Sequence, residues 1–557
     1  MLEVTKVLKE VHFIRSNGVV LMRRIILSGY NVDVDVLNEL KRSHSGFFPA
    51  LGMAFGQIFN RGKYRKLLAA TTPEVLSAGY AYASRDATSM DGLRAEARNE
   101  VAKARGSNKN IVFKMGHSSV AEHAELNFDF MGISRLAVEF LEQHRLCSYT
   151  EKSQRYITLK GDFVLPQELN GPFMAHRKER FLGLIRRQND FYFKSLEPLL
   201  EYQKAQHPEK AGNKDGMKTI EGWAKEDARY SLSLATEAQL GFTGNTRNLE
   251  KIIRQFKHHP LAEIREIGEE LYQEAVKVVP SLIILADKKL FTDTTGTTLD
   301  NSFVKYGEID ARDATKSLLA KWSTEGTLDR SKIKKHGSLL VECDDVDRNV
   351  VSALWARYEG IPLGEAMNLY DRMITQPERR EEIVKYVKDC LQHLSLHDAL
   401  PREFEKGVFT FDLEISSTGY AQLKRHRMCT QIVGEYDPQL GITVPPAIQA
   451  IGKEAELKEV AERTNDLFYK LRAAFPENHQ VADYCLTNAH KRRVQVEMNA
   501  RELYHFSRLR EDGHAQWDIR NLAHLMVDAA KQDAPITTML LAGKDQFNQV
   551  RKDVYGG

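Results

Sequence analysis

Two short stretches of strict alternation stand out along the chain. In Glu125-Leu126-Asn127-Phe128-Asp129-Phe130 the apolar residues Leu126, Phe128 and Phe130 fall on one face. Phe409-Thr410-Phe411-Asp412-Leu413-Glu414-Ile415 repeats the pattern with four apolar positions. Period two predicts a half-buried strand in each place. Each strand should run into a helix carrying a basic cluster near its end. The segment from about 286 to 334, rich in Thr, Asp, Lys and Gly, reads as an extended connector. The expected organisation is an N-terminal extension (1–21), a first domain (22–285), the connector (286–334) and a second domain (335–557). Its class is α+β: two tandem helix-rich domains, each with a central antiparallel or mixed sheet.

The basic clusters are two imperfect copies of one signature. The first opens Gln143-His144-Arg145 and continues Ser148-Tyr149-Thr150-Glu151-Lys152-Ser153-Gln154-Arg155-Tyr156. The second is Arg425-His426-Arg427, with Gln422 three residues ahead and no Ser/Glu/Arg tail. A second pair follows in the same order, Asn245-Thr246-Arg247-Asn248-Leu249-Glu250-Lys251 and Asn499-Ala500-Arg501-Glu502-Leu503-Tyr504-His505. Ordered pairs with drifting spacing indicate an internal duplication.

Bulk properties narrow the partners. At 557 residues the chain is too long for one ordinary core. Its formal net charge of +3 gives no global pull towards nucleic acid or an anionic membrane, so any anion site must be local. Five scattered cysteines without a CxxC pair argue against a zinc ribbon or a disulfide scaffold and suit a reducing cytoplasm. No run of 18 apolar residues predicts a membrane span.

Arg-His-Arg places two guanidiniums around an imidazole, which suits a diphosphate or the edge of a flavin ring. The polar 148–156 stretch could wrap a phosphomonoester with Ser153, backbone N–H groups and Arg155. Arg501 and His505, four apart, share a helix face. Each piece alone has a plainer reading: surface charge, a helix cap or a core histidine. Gly116-His117-Ser118-Ser119-Val120-Ala121-Glu122-His123 lacks the spacing of a zinc motif, and no metal site is expected. Cys147 and Cys429 lie beside the clusters without a base to activate them, which favours packing.

The joint order of these motifs resembles the flavin-dependent thymidylate synthases, over roughly 70–285 and 340–545. The resemblance implies FAD as cofactor, with NADPH and methylenetetrahydrofolate as co-substrates, and methylation of deoxyuridylate to thymidylate. It also implies a nucleotide site shared between chains of a homotetramer. Residue by residue, it gives domain one Glu151, Ser153, Arg155 and Arg229 for the nucleotide. Domain two receives Gln422, Arg425 and Arg510, with Arg510 at the reacting uracil. The flavin set is Ser84, His117, Ser119 and Glu151 from domain one, with Arg425, His426, Arg427, Asn499, Arg501 and His505 from domain two. The losses are complementary. Domain one has Phe140, Gln143, Lys251 and Phe256 at positions of the second set. Domain two has Asp483 where Arg229 would match. One composite pocket, one dead pocket and a homodimer follow as expectations. Thr150, where the family usually has Asn, leaves open a related pyrimidine modification such as hydroxymethylation; a non-catalytic nucleotide-binding homologue built on the degenerate fold is a second alternative, against which the intact complementary halves argue.

Overall fold

The computed structural model describes residues 12–14, 20–44, 67–83, 86–327, 339–343 and 345–556. The chain divides into two compact units. Unit 1 comprises Met1–Arg187, Ser233–Arg330 and Asp466–Cys485. Unit 2 comprises Gln188–Leu232, Ser331–Asn465 and Leu486–Gly557. The partition cuts across the contiguous segments 22–285 and 335–557, because each unit takes in a stretch from the other half of the sequence.

Each unit is built on a four-stranded antiparallel sheet. The strands are β1 (Arg24–Tyr30), β2 (Glu125–Ser134), β3 (Ser148–Glu151) and β4 (Glu237–Asn245) in unit 1. In unit 2 they are β5 (Leu340–Cys343), β6 (Val408–Ser416), β7 (Cys429–Tyr436) and β8 (Lys491–Asn499). The spatial orders are β1-β2-β4-β3 and β5-β6-β8-β7. These are the same topology, as a duplication requires. Both alternating segments are strands, and their apolar faces are buried: Phe128 and Phe130 in unit 1, Phe409, Phe411 and Leu413 in unit 2.

The inner strands hand the chain to helices in the same way. The helices are α1 (Arg135–Glu142), α2 (Thr246–Phe256), α3 (Ala262–Ala275), α4 (Ser417–Leu423), α5 (Ala500–Arg510) and α6 (Trp517–Asp533). The last residue of each inner strand is the N-cap of the next helix. Ser134 Oγ accepts from Ala137 N–H, and Ser416 Oγ from Gly419 N–H. Asn245 and Asn499 side chains accept from Asn248 and Glu502 N–H. A Ser or Asn cap satisfies an N–H left unpaired in the first helical turn. The basic triplets lie just past the ends of α1 and α4 rather than inside them. In unit 2, Leu503 and Phe506 of α5 and Ile519, Ala523 and Met526 of α6 pack with Phe411 and Val496 in one apolar core.

Each core also contains a buried serine–carboxylate–tyrosine network. In unit 1, Glu263 accepts from Ser134 N–H and Oγ–H at 2.7 Å each and from Tyr484 O–H at 2.6 Å. In unit 2, Asp518 accepts from Ser416 O–H and from Tyr230 O–H at 3.1 Å. The tyrosine comes from the opposite half of the sequence in both cases. Over its described residues, 286–327, the connector is not extended. It contains helices at Lys288–Thr295 and Phe303–Thr324, the first capped by Asp287 and closed by Gly296 in the left-handed region. Its Thr and Asp residues serve as caps and helix-surface positions, which composition alone did not separate from a loop.

Candidate functional site: a cationic cleft in unit 2

The turn after α4 and α5 along its length line a cleft of about 530 Å³. Its lining includes Arg425, His426, Arg427, Asn499, Arg501, His505 and Arg510, with Asp398, Leu400 and Glu405 forming a facing wall. Five guanidiniums (Arg425, Arg427, Arg501, Arg508, Arg510) face three carboxylates (Asp398, Glu405, Glu502), so the cleft carries an excess of positive charge. Guanidiniums this close repel unless an anion lies among them.

Two arginines of α5 fasten the wall. Arg501 donates to Leu400 O at 2.8 Å and to Glu405 Oε1 at 2.7 Å. Arg508 donates to the Asp398 carbonyl. Arg501, expected to bind a cofactor, therefore also holds the loop that shapes the cleft. Arg510 donates through Nε to His426 Nε2 at 3.0 Å and through Nη1 to Gln422 Oε1 at 3.1 Å. His426 Nδ1 lies 2.8 Å from Glu502 Oε1. The imidazole packs edge-on against Phe506 at 4.9 Å and His505 at 5.8 Å. Arg425 Nε donates to Ala421 O at 3.2 Å.

Arg229 also belongs to unit 2, although its sequence lies in the first half. It is buried, and its carbonyl accepts from Asn488 Nδ2 at 3.0 Å. Its charge opposes the burial that pushes Asp227 up to about 7 and raises Asp518. The remaining candidates lie in unit 1. Glu151 ends β3 opposite Leu240. Ser153 Oγ accepts from Arg155 N–H at 3.2 Å, and the Arg155 guanidinium lies 5.8 Å from the Tyr156 ring. His117 and Ser119 are exposed at a short 3-10 turn spanning Ser118–His123. Ser84 lies outside the described residues.

Sequence reasoning did not single out Glu502. The available signal was its place three residues after the N-cap Asn499, the acidic position of a capping box. Among the described residues, Asp512, His514 and Asp545 bring two carboxylates and an imidazole within 4.8 Å. No helix among them is long and apolar enough to cross a membrane.

The equivalent place in unit 1 is filled with rings. His144 packs on Phe256 at 6.0 Å and Phe140 on His259 at 4.5 Å. Burial, reinforced by Lys251, holds His144 down at about 4, and burial with Arg265 holds His259 at about 3. Both imidazoles stay neutral in the folded chain while the unfolded chain protonates near 6.5, so they withdraw stability as pH falls below 6.5. Glu250, pushed up to about 7 by burial, acts in the opposite sense between pH 7 and 4.5. The contribution of His144 by itself is an acid loss. We expect His144→Leu to flatten it by ~3 kcal/mol between pH 7 and 4, measured by urea unfolding. An unchanged pH slope would refute the buried neutral imidazole.

Against this geometry the relatives can be placed. The family model described as "Thymidylate synthase complementing protein" matches residues 66–281 and 338–536. The chain belongs to that family. Its two matched segments fit a tandem duplication with two antiparallel sheets. A UPF0159 protein of Chlamydia muridarum is 24% identical over 449 residues, covering 78% of this chain and 79% of its own. A flavin-dependent thymidylate synthase of Clostridium tetani is 31% identical over 180 residues, or 31% of this chain and 67% of its own. Among solved structures, a UMP/dUMP methylase, PolB of Streptomyces cacaoi with 5-Br dUMP, aligns with a TM-score of 0.31 at 20% identity. That alignment covers 41% of this chain and 93% of PolB.

The donor set of the cleft fits the flavin that the family implies. Its volume lies in the usual range for a ligand pocket. Its surplus guanidiniums match a diphosphate, and its imidazoles and helix N-terminus can meet a ring edge.

Proposed function

We propose that the protein methylates deoxyuridylate to thymidylate in a flavin-dependent reaction, with methylenetetrahydrofolate and NADPH as co-substrates. The observation that carries the reading is the cleft itself. Seven of the residues expected from the second half of the signature surround it, whereas in the first half His144 packs on Phe256, which stands where Arg510 does, and Phe140 packs on His259. The phosphate-gripping loop survives only in the first half, as Glu151, Ser153 and Arg155. We take these two retained sets as complementary, each half of the sequence keeping what the other has lost.

FAD would be held by Arg425, His426, Arg427, Asn499, Arg501 and His505, with His117, Ser119 and Glu151 completing the set, and would supply the hydride that finishes the methyl group. Arg155, Arg229 and Arg425 neutralise the 5′-phosphate by charge-assisted hydrogen bonds. Arg510 donates to the uracil edge and stabilises negative charge as C5 attacks the methylene carbon, whose bond to the folate nitrogen breaks; the C5 proton then leaves to solvent, and the resulting exocyclic methylene is what the hydride completes. Ser153 anchors the phosphate, having no base to make it a nucleophile.

Anaerobic incubation with FAD, NADPH, methylenetetrahydrofolate and deoxyuridylate tests the reading by product mass. A nucleotide heavier by one methylene unit is expected. Bound flavin and nucleotide with any other product would move the chemistry to a different pyrimidine modification; no bound nucleotide would remove the site assignment.

Tandem halves standing in for separate chains also imply a homodimer. Light scattering should give a mass of two chains, and a mass near four would contradict a pseudo-tetramer.

A further inference from the structure

The hydrogen bonds around His426 form a directed chain. A guanidinium Nε–H can only donate, so His426 Nε2 accepts from Arg510. The ring proton then sits on Nδ1 and is donated to Glu502 Oε1 at 2.8 Å. Gln422 Oε1 accepts from the other edge of Arg510 at 3.1 Å. Glu502, His426 and Gln422 are 6%, 3% and 8% exposed, so the chain is shielded from competing water.

We infer that Glu502 is a positioning residue that acts through His426 to set the orientation of the Arg510 guanidinium in the cleft. The role assigned to Arg510 rests on the reading above; the positioning itself rests on the hydrogen bonds. A carboxylate behind an imidazole fixes which nitrogen carries the proton and makes the other a stronger acceptor. The plain alternative is a capping-box glutamate. Such a residue would turn back to the N–H of Asn499. Here its oxygen is committed to the imidazole, while the cap is completed by the Asn499 side chain on Glu502 N–H.

Unit 1 supplies an internal comparison. The imidazole is kept there as His144, but its polar partners are gone together. Asn248 stands in place of Glu502 and donates to Asn245 Oδ1 at 3.0 Å. Phe256 stands for Arg510, and Phe140 for Gln422. With no guanidinium to orient, no carboxylate remains behind the ring. Joint loss of all three partners is what a shared task predicts; a cap needed only for folding would have no reason to go with Arg510.

The test is a cycle of variants of the full-length, FAD-loaded protein, read by calorimetric titration of deoxyuridylate. Glu502→Gln keeps a carbonyl acceptor and should bind within about 3-fold of the parent, whereas Glu502→Leu should weaken binding by about 10-fold. Arg510→Lys retains the charge but has no Nε–H for His426. Adding Glu502→Leu to it should change affinity by less than about 2-fold. Equal weakening by Glu502→Leu in both backgrounds would overturn the inference. A second readout needs no nucleotide: histidine-selective 15N spectra, with His426 assigned from His426→Gln. The protonated Nδ1 signal should be present in the parent and lost in Glu502→Leu, and its persistence would also overturn the inference. If the parent binds no deoxyuridylate, the proposed function fails, and the spectra still decide the role of Glu502.

Discussion

Arg510→Ala and Arg155→Ala should each lower thymidylate formation by about 10³-fold or more, while Arg145→Ala should cost less than about 10-fold. Arg145 and Arg155 belong to one copy of the signature and Arg510 to the helix that follows the other copy, and charge alone predicts no difference among them. Geometry does. Arg510 is held on two edges by buried acceptors, His426 and Gln422, inside a cleft with surplus positive charge. Arg155 sits in the only surviving Glu-x-Ser-x-Arg loop, with its backbone fixed by Ser153. Arg145 instead donates to the Glu142 carbonyl and lies 5.7 Å from the Tyr149 ring, beside a site closed by Phe256. Arg510→Ala also strands two buried acceptors, so its melting curve must accompany the rate. Arg510→Lys separates charge from the planar fork and should recover little of the activity. Equal losses for all three arginines, or an active Arg510→Ala, would sink the split assignment.

The sequence made some of this arrangement legible because the signals were local. Alternation marked β2 and β6, since the period of two is a property of the strand itself. Spacing of four put Arg501 and His505 on one face of α5, and both line the cleft. Relations between distant residues were not legible. Nothing near Glu502 announces His426, 76 positions earlier. The capping pattern was visible, but its glutamate had been drawn to a stronger partner. The connector was misjudged because Thr and Asp favour caps and turns equally, and here they cap and coat helices. The reciprocal placement of Tyr230 and Tyr484 was hidden for another reason. A duplicated chain contains two equivalent places for each segment, and local sequence is the same whichever one it fills.

That exchange leads to a stability prediction. Residues 335–557 expressed alone should not give a cooperative thermal transition, and co-expression with residues 1–334 should restore one. The fragment contains β5 to β8 but lacks Gln188–Leu232, which belongs to the same compact unit. Without that segment Asp518 keeps Ser416 but loses the Tyr230 hydroxyl, in a site where burial already raises its pKa. Trp517 loses its Asp227 acceptor at 2.8 Å and the stacked Tyr230 ring at 5.5 Å. The N–H groups of Asn488 and Ala489 lose the carbonyls of Leu232 and Tyr230. Each stranded buried group costs ~1–3 kcal/mol, and together they match the ~5–15 kcal/mol that keeps a typical domain folded. In the intact chain, Tyr230→Phe removes the hydroxyl that donates to Asp518 and accepts from Gln516 Nε2, and should cost ~1–3 kcal/mol by denaturant unfolding. Had each half of the sequence closed its own core, the fragment would melt sharply near the temperature of the whole protein, and Tyr230→Phe would leave unit 2 unchanged. A broad, non-cooperative profile for the fragment, recovered by the partner piece, would establish that Gln188–Leu232 completes the core carrying Arg510.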